Sequence, residues 1–304
     1  MERRDFLRAG AAALAGACCS GRLTAEEPKA AAGGRFQLHY APHFGMFKHL
    51  AGGDSIDQLK FAADQGFTAW EDDGLGARPI AVQERIVRTI HALGMSMGAF
   101  AAMPAFSEIS FARKNEPAWE CALRELRASV EVAKRANAKW LTAAFGPSRP
   151  GLEPERQAAS CVELLKRCSA ILEPHGLVLV LEPPPSSAAG PGMLLPQLPP
   201  PQRICQAVGS PSCKMLLDVY HQHVTEGDWM PSIREAWGEI AYVRWGDNPG
   251  RKEPGTGEID FRRMFAHLRR CGYTGLVGMH HGNSKPGPEG ERAVIEAYVA
   301  AERA

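Results

Sequence analysis

The chain has 304 residues, 45% hydrophobic and 23% charged, with 35 Lys and Arg against 34 Asp and Glu and a formal net charge of +1. These figures exclude a disordered chain, a collagen-like repeat and a disulfide-dense mini-domain. The near-neutral balance gives no electrostatic case for nucleic acid or an anionic membrane as a partner.

The first segment, MERRDFLRAGAAALAGACCS, reads as an address rather than as fold. Arg3 and Arg4 stand before Phe6 and Leu7, and a short Ala-rich stretch follows, a pattern that resembles a twin-arginine export signal. The apolar part is too short to span a bilayer. Ala15-Gly16-Ala17 forms a small-x-small peptidase site ahead of Cys18, and Cys18 could instead accept a lipid. The expectation is an exported, periplasmic protein, freely soluble or lipid-anchored. Residues 1–34 are then signal and linker, and residues 35–304 one domain; the competing reading is an amphipathic N-terminal helix. The eight cysteines include no CxxC pair, and Cys161 and Cys168 share an apolar helix stripe with Leu165 and Leu172, so buried thiols are expected.

From residue 36 onward short apolar runs alternate with helical periodicity. Strands are predicted at Phe36–Tyr40, Thr68–Glu71, Ser96–Ala101, Trp140–Ala144, Val178–Glu182, Met215–Asp218, Ala241–Trp245 and Gly275–His280. Helices are predicted near 55–65, 81–93, 117–136, 155–174, 199–208, 229–238, 260–271 and 288–302. In the second helix Val82, Ile86, Ile90 and Leu93 define a face and Gly94 a stop. The third opens with Pro117 in its first turn and presents Trp119, Leu123, Leu126 and Val130 for burial. Phe261, Met264, Leu268 and Cys271 make the stripe of the seventh, ahead of Gly272. Continuous apolar strands such as Val178–Leu181 are those of a parallel sheet covered on both faces. Eight such units over about 265 residues match a (β/α)8 TIM barrel, an α/β fold of the xylose-isomerase-like kind in the reading below. A doubly wound open sheet is the alternative, but no GxGxxG or GxxxxGK sequence supports it. The proline-rich stretch 183–201 suits a long loop over the barrel mouth.

In a barrel the site lies where the strands finish. Those ends carry Glu71, Glu182, Asp218, Arg244 and His280, with His39 and His43 at or just past the first strand. Tyr220, His221 and His223 follow the sixth strand, and GDNPGRKEPGTGEIDF follows the seventh. Glu182 and Asp218 each end an apolar run, where a carboxylate needs a metal, a cation or strong hydrogen bonds. An inward Arg244 making a salt bridge is the purely structural account of the pair.

Three segments carry a closer resemblance. Glu182-Pro183, then Asp218-Val219-Tyr220-His221 with Glu226-Gly227-Asp228, then Gly246-Asp247-Asn248-Pro249-Gly250-Arg251 with Pro254-Gly255-Thr256-Gly257-Glu258-Ile259 resemble the hydroxypyruvate isomerase family. That family sits among the xylose-isomerase-like barrels, with ketose epimerases and endonuclease IV, and the match runs from about Phe36 to Gly278. The resemblance implies interconversion of an α-hydroxy aldehyde and ketone by carboxylate-mediated proton transfer, with a divalent metal on both substrate oxygens. It implies one metal ligand from each of strands five to eight, and gives Glu182 and Asp218 to the first two. It also implies a pocket-lining role for His221 and a possible homo-oligomer.

Two positions depart from that pattern. Arg244 stands where a Gln or His ligand is implied, and a guanidinium cannot coordinate a cation. His280 stands where a glutamate is implied, and it could serve as ligand or base. Glu182, Asp218 and His280 would form a metal set favouring Mn or Zn over Mg, with Glu182 and His280 as the catalytic pair. His281 is the inward residue if the register slips by one. Substrate contacts are expected from His221, Arg244, Glu71, His39, Asp247 and Arg251. Trp70, Trp140 and Trp245 are expected in the core, His91, His175 and His267 on helix surfaces or caps, and Lys252 and Glu253 facing solvent.

Three functions follow. The first is an isomerase or epimerase of small sugars or hydroxy acids. The second is a catalytically silent or altered relative that binds a carbohydrate-like ligand. The third is a zinc nuclease of the endonuclease IV kind, against which the charge balance and export pattern speak.

Overall fold

The computed structural model describes residues 35–102, 111–143, 149, 151–182 and 201–303. The predicted signal, with Arg3, Arg4 and Cys18, lies outside the described residues, as do Ala144 and the proline-rich stretch 183–200.

Among the described residues nine strand segments form the wall: β1 (His39–Ala41), β2 (Ala69–Trp70), β3 (Ser96–Met97), β4 (Phe100–Ala101), β5 (Trp140–Ala143), β6 (Val178–Leu181), β7 (Cys213–Asp218), β8 (Ile240–Trp245) and β9 (Leu276–Met279). Seven are hydrogen-bonded in the order β1-β9-β8-β7-β6-β5-β4, and β2 pairs with β3, every pairing parallel. A parallel bridge between His43 and Glu71, with Glu71 N–H donating to Pro42 O at 2.9 Å, joins the end of β1 to the end of β2. Since β3 runs on into β4, the two pieces act as one barrel strand and the sheet curls round through eight positions, as the alternation predicts.

The interruption falls at Gly98. Its N–H donates to Trp70 O at 2.7 Å, and a Cβ there would sit 2.7 Å from the Tyr242 hydroxyl. Only glycine lets the third strand press so close to its neighbours.

Helices follow the strands: α1 (Lys48–Ala51), α2 (Ser55–Asp64), α3 (Ile80–Ala92), α4 (Glu116–Ala136), α5 (Pro154–Leu172), α6 (Pro201–Val208), α7 (Val219–Glu226), α8 (Met230–Ala236), α9 (Phe261–Arg270) and α10 (Gly287–Ala301). Their ends obey local chemistry. Asn115 caps α4 by accepting from Ala118 N–H, and Asn137 closes it in the left-handed region at φ 48°. Asp260 accepts from Arg263 N–H to start α9. The stripes predicted for α4 and α5 are buried, including Cys161 and Cys168. On α3 the buried face is Gln83, Ile86, Val87 and Ile90; Val82 is exposed, so the predicted stripe is turned by one position. Gln83 is drawn in because its amide donates to Arg78 O at 2.8 Å. The short helix α7, directly behind Asp218, was not foreseen. No described helix is long and apolar enough to cross a membrane.

Period-2 alternation divides the core in two. Ala41, Ala69, Ala99, Val178, Val180, Leu216, Tyr242 and Leu276 form one cluster, inside the barrel. Leu179, Leu181, Met215, Leu217, Val243, Val277 and the helix stripes form the other, between barrel and helices. Trp70 and Trp245 belong to the second, so they do not wall the pocket, while half-buried Trp140 packs against the first. His267 is buried rather than exposed. It lies edge-on to Trp237 at 4.9 Å, and burial lowers its pKa.

Candidate functional site

The same alternation places the site. Counting two residues on from the inner cluster leads from Ala69 to Glu71, Val180 to Glu182, Leu216 to Asp218 and Tyr242 to Arg244. All four side chains therefore emerge inward at the end where the strands finish, where loops can close over a ligand. Ala41 leads likewise to His43, and Gly278 to His280. Register sets Asp218 beside Arg244 and Arg244 beside Gly278. At Gly278 a Cβ would collide with Glu71 Oε2 and stand 3.1 Å from Arg244 Cγ. The missing side chain is the space through which Arg244 and Glu71 meet.

Arg244 is 1% exposed and dominates the floor. It donates through Nη1 to Glu182 Oε2 at 2.8 Å and through Nη2 to Asp73 Oδ1 at 2.7 Å and to Glu71 Oε1. Burial works against its charge, but Glu71, Glu182 and Asp73 raise its pKa well above the ordinary value. Tyr242, one turn of the pleat below, donates its hydroxyl to Glu71 Oε2 at 3.1 Å. Burial pushes the Glu71 carboxyl above the ordinary value, with Arg244 opposing.

Arg251 is the second cation. Its backbone has φ 51°, a left-handed conformation that costs a non-glycine residue roughly 1 kcal/mol or more, and its side chain has enough partners to hold it. Nη1 donates to His221 Nε2 at 2.8 Å, Nη2 to His280 Nδ1 at 2.9 Å and to Asp218 Oδ2, and Nε to His280 O at 2.9 Å. A guanidinium only donates, so both ring nitrogens it meets are acceptors. The neutral tautomers follow: His221 carries its proton on Nδ1, 3.8 Å from Glu182 Oε1, and His280 carries it on Nε2, 4.0 Å from Asp73 Oδ2. Asp218 also caps α7, accepting from His221 N–H at 3.0 Å. Burial would raise its pKa, yet the charge of Arg251 and the His221 N–H it accepts help to hold it below the ordinary carboxylate value.

Glu182, Asp218, His221, Arg244, Glu71, Arg251 and His280 are thus brought together at one end of the barrel. Two expected contacts are not. His39 opens β1 at the opposite end of the barrel, with Ala41 between it and His43, and its Nδ1 meets Thr68 Oγ1 at 2.8 Å. Burial there lowers its pKa. Asp247 is fully buried and faces the loop instead of a ligand. Its oxygens accept the backbone N–H groups of Asn248 at 2.8 Å, Gly255 at 2.9 Å, Gly257 at 2.8 Å and Ile259 at 3.1 Å. Glu253 is likewise buried, accepting from Ser284 N–H at 2.8 Å and from Ser284 Oγ. His281 points outward from the barrel to Tyr298 OH at 2.9 Å, so the register does not slip.

Asp73 was not singled out, and His43 was named only for its place just past the first strand. Both line a cavity of about 320 Å³ with Phe44, Glu71, Arg78, Met279 and His280. The signal for Asp73 was present: Glu71-Asp72-Asp73 follows a strand, and residues 71 and 73 share one face. Asp72 turns away to Arg78, with Nε to Oδ2 at 2.6 Å.

One atom each from Glu182, Asp218 and His280 lies within 4.8 Å of the others, a spacing a divalent ion could bridge. Their neighbours do not suit one. Glu182 Oε2 receives Arg244, while Asp218 Oδ2 and His280 Nδ1 receive Arg251. A unit charge pair at about 4 Å is worth about 4 kcal/mol at an effective dielectric of about 20, and a divalent ion would feel about twice that repulsion from each guanidinium. The donor set as it stands does not fit a divalent metal.

Known proteins of similar sequence and shape accord with this geometry. The sequence profile of the family described as xylose isomerase-like TIM barrel matches residues 59–299. Hydroxypyruvate isomerase of Escherichia coli (strain K12) is 24% identical over 248 residues, covering 81% of this chain and 93% of that one. The 2-oxo-tetronate isomerase of Pectobacterium atrosepticum is 24% identical over 162 residues, 53% of this chain and 62% of that one. Further relatives are matched over about half of their own length. Among solved structures, the 3-keto-D-glucoside 4-epimerase of E. coli superposes with a TM-score of 0.69 at 15% identity, covering 88% of this chain and 100% of that one.

Proposed function

The chain belongs to the xylose isomerase-like TIM-barrel family, and on that premise we propose that it isomerises or epimerises a small sugar or hydroxy acid by proton transfer next to a carbonyl. The observation that carries this reading is the convergence of Glu182, Asp218 and His280 within 4.8 Å from the ends of three different strands. Relatives named hydroxypyruvate isomerase and 2-oxo-tetronate isomerase support the reaction class.

In this reading Glu182 takes the proton from the hydroxyl-bearing carbon, and the released electron pair moves onto the adjacent carbonyl oxygen. His280, with its proton on Nε2, donates to that oxygen. The guanidiniums of Arg244 and Arg251 lie beside the developing charge and are already fixed by their carboxylate partners, so little reorganisation is needed. Asp218 keeps Arg251 and His221 oriented. For isomerisation Glu182 then returns the proton to the neighbouring carbon, while His280 Nε2, having given its proton to the first oxygen, takes up the one released by the original hydroxyl as that oxygen becomes the new carbonyl; epimerisation instead needs a proton delivered to the same carbon on its opposite face, by His280.

A second reading has its own observation. The 2.8 Å ion pair from Arg244 occupies a Glu182 oxygen that would otherwise be open to a substrate, which favours a site that binds a polyol without turning it over. Deuterium wash-in separates the two. Hydroxypyruvate, D-fructose, D-tagatose and D-psicose are incubated with enzyme in D2O and followed by NMR. The isomerase reading expects exchange at the carbon beside the carbonyl that disappears in Glu182→Gln; saturable binding without exchange supports the second reading.

The pattern around Arg3 and Arg4 carries a proposal of export by the twin-arginine route. A variant with both replaced by Lys is expected to stay in the cytoplasm while the unsubstituted chain leaves it.

A further inference from the structure

We propose that Arg244 is the resident cation of this site: its guanidinium occupies the charge role of a divalent ion, the pocket works without metal, and removing that charge uncovers a cation site. The inference rests on the small-molecule reading above, but its test reads metal binding and not turnover, so the two can fail separately.

Four acidic groups face the floor, and Arg244 contacts three of them, Glu71, Asp73 and Glu182. It is 1% exposed and grows from β8 between Asp218 and Gly278, in the middle of the acidic ring and not from its rim. Glu182, Asp218 and His280 already converge closely enough for one ion to touch all three. What separates this set from a cation site is the positive charge held beside it, by Arg244 at Glu182 and by Arg251 at Asp218 and His280, with Arg244 the buried and central one of the two. Gly278 supports the arrangement, because any larger residue would expel the guanidinium from its place against Glu71. Arg251 closes the other side through Asp218 and His280 from a loop, with a side chain 29% exposed, whereas Arg244 is enclosed in the barrel floor.

The experiment titrates the full chain, stripped with a chelator, with Mn²⁺ alone, by calorimetry and by the loss of free-ion paramagnetic resonance signal. The wild type is expected to show no saturable uptake. Arg244→Gln is expected to take up one equivalent, with affinity raised roughly a hundredfold or more, and to regain thermal stability as Mn²⁺ is added. Arg244→Lys, which keeps the charge, is expected to take up none, and adding His280→Ala to Arg244→Gln should abolish the gain. If Arg244→Gln does not fold, Glu71→Gln/Arg244→Gln relieves one unpaired carboxylate and is titrated in its place. One equivalent of Mn²⁺ bound by the wild type and lost in Glu182→Ala overturns the proposal. So does a folded Arg244→Gln, or the folded double variant, that binds none.

Discussion

Arg244 and Glu182 are joined at 2.8 Å across the mouth of the barrel, and the same guanidinium reaches Glu71 and Asp73 beyond β2. One side chain from β8 therefore ties together the ends of two other strands. Arg244→Ala leaves the buried Glu71 and the partly buried Glu182 without a cation and is expected to cost about 3–5 kcal/mol in urea unfolding. Glu182→Gln keeps Glu71 and Asp73 as partners and should cost about 1 kcal/mol. Equal losses in the two variants would contradict this division.

His281 sets a pH dependence of stability. Burial against Tyr298 pushes its pKa from 6.5 down to about 3. The folded chain thus refuses a proton that the unfolded chain accepts, so this stability is present above pH 6.5 and drains as the pH falls toward 3. The expected slope is about 1.4 kcal/mol per pH unit from this one group. Unfolding free energies at pH 4, 5 and 6 should show that slope reduced by about this amount in His281→Phe.

Asp247 should behave as a structural residue. It spends both oxygens on four backbone N–H groups of its own loop. Asp247→Asn is expected to lose roughly 3 kcal/mol and to open the loop to limited proteolysis. A substrate contact would instead show as a raised KM in a chain of unchanged stability.

Gly278 and Gly238 form a matched pair. A methyl group at Gly278 would strike Glu71, whereas at Gly238 nothing lies within 4 Å. Gly278→Ala should cost roughly 1–3 kcal/mol and abolish exchange in D2O, while Gly238→Ala stays within about 0.5 kcal/mol. Thermal melts of the two variants side by side decide it.

Much of this was legible in the sequence because barrel strands write their ends plainly. Val178–Leu181 is apolar and then stops at Glu182, and the same break occurs at Asp218, so inward carboxylates could be found by counting. What counting missed was depth. His39 has the inward parity of His43 but sits at the other end of β1, and only the true strand limits distinguish them. Asp247 read as a substrate contact and Glu253 as a solvent-facing residue because their partners are backbone N–H groups and a distant Ser284, which leave no trace in residue type. His267 was misplaced for a similar reason, since Trp237 covers it from another helical turn. The third partner of Arg244, Asp73, lies two residues past Glu71 on the same face, a parity that counting can carry beyond β2 into the loop.

The loop from Gly246 to Ile259 carries its own fastening. With Asp247 gripping four of its amides from within, the span takes its shape from an internal clasp and owes little to the strands it rises from. Arg251 is delivered over the pocket by that clasp. The residues at 244 and 280 could therefore be exchanged across descent while the arm above them stayed in place, like a tool changed beneath a fixed jig. A barrel built in this way can change which chemistry it hosts without first losing its grip on what it holds.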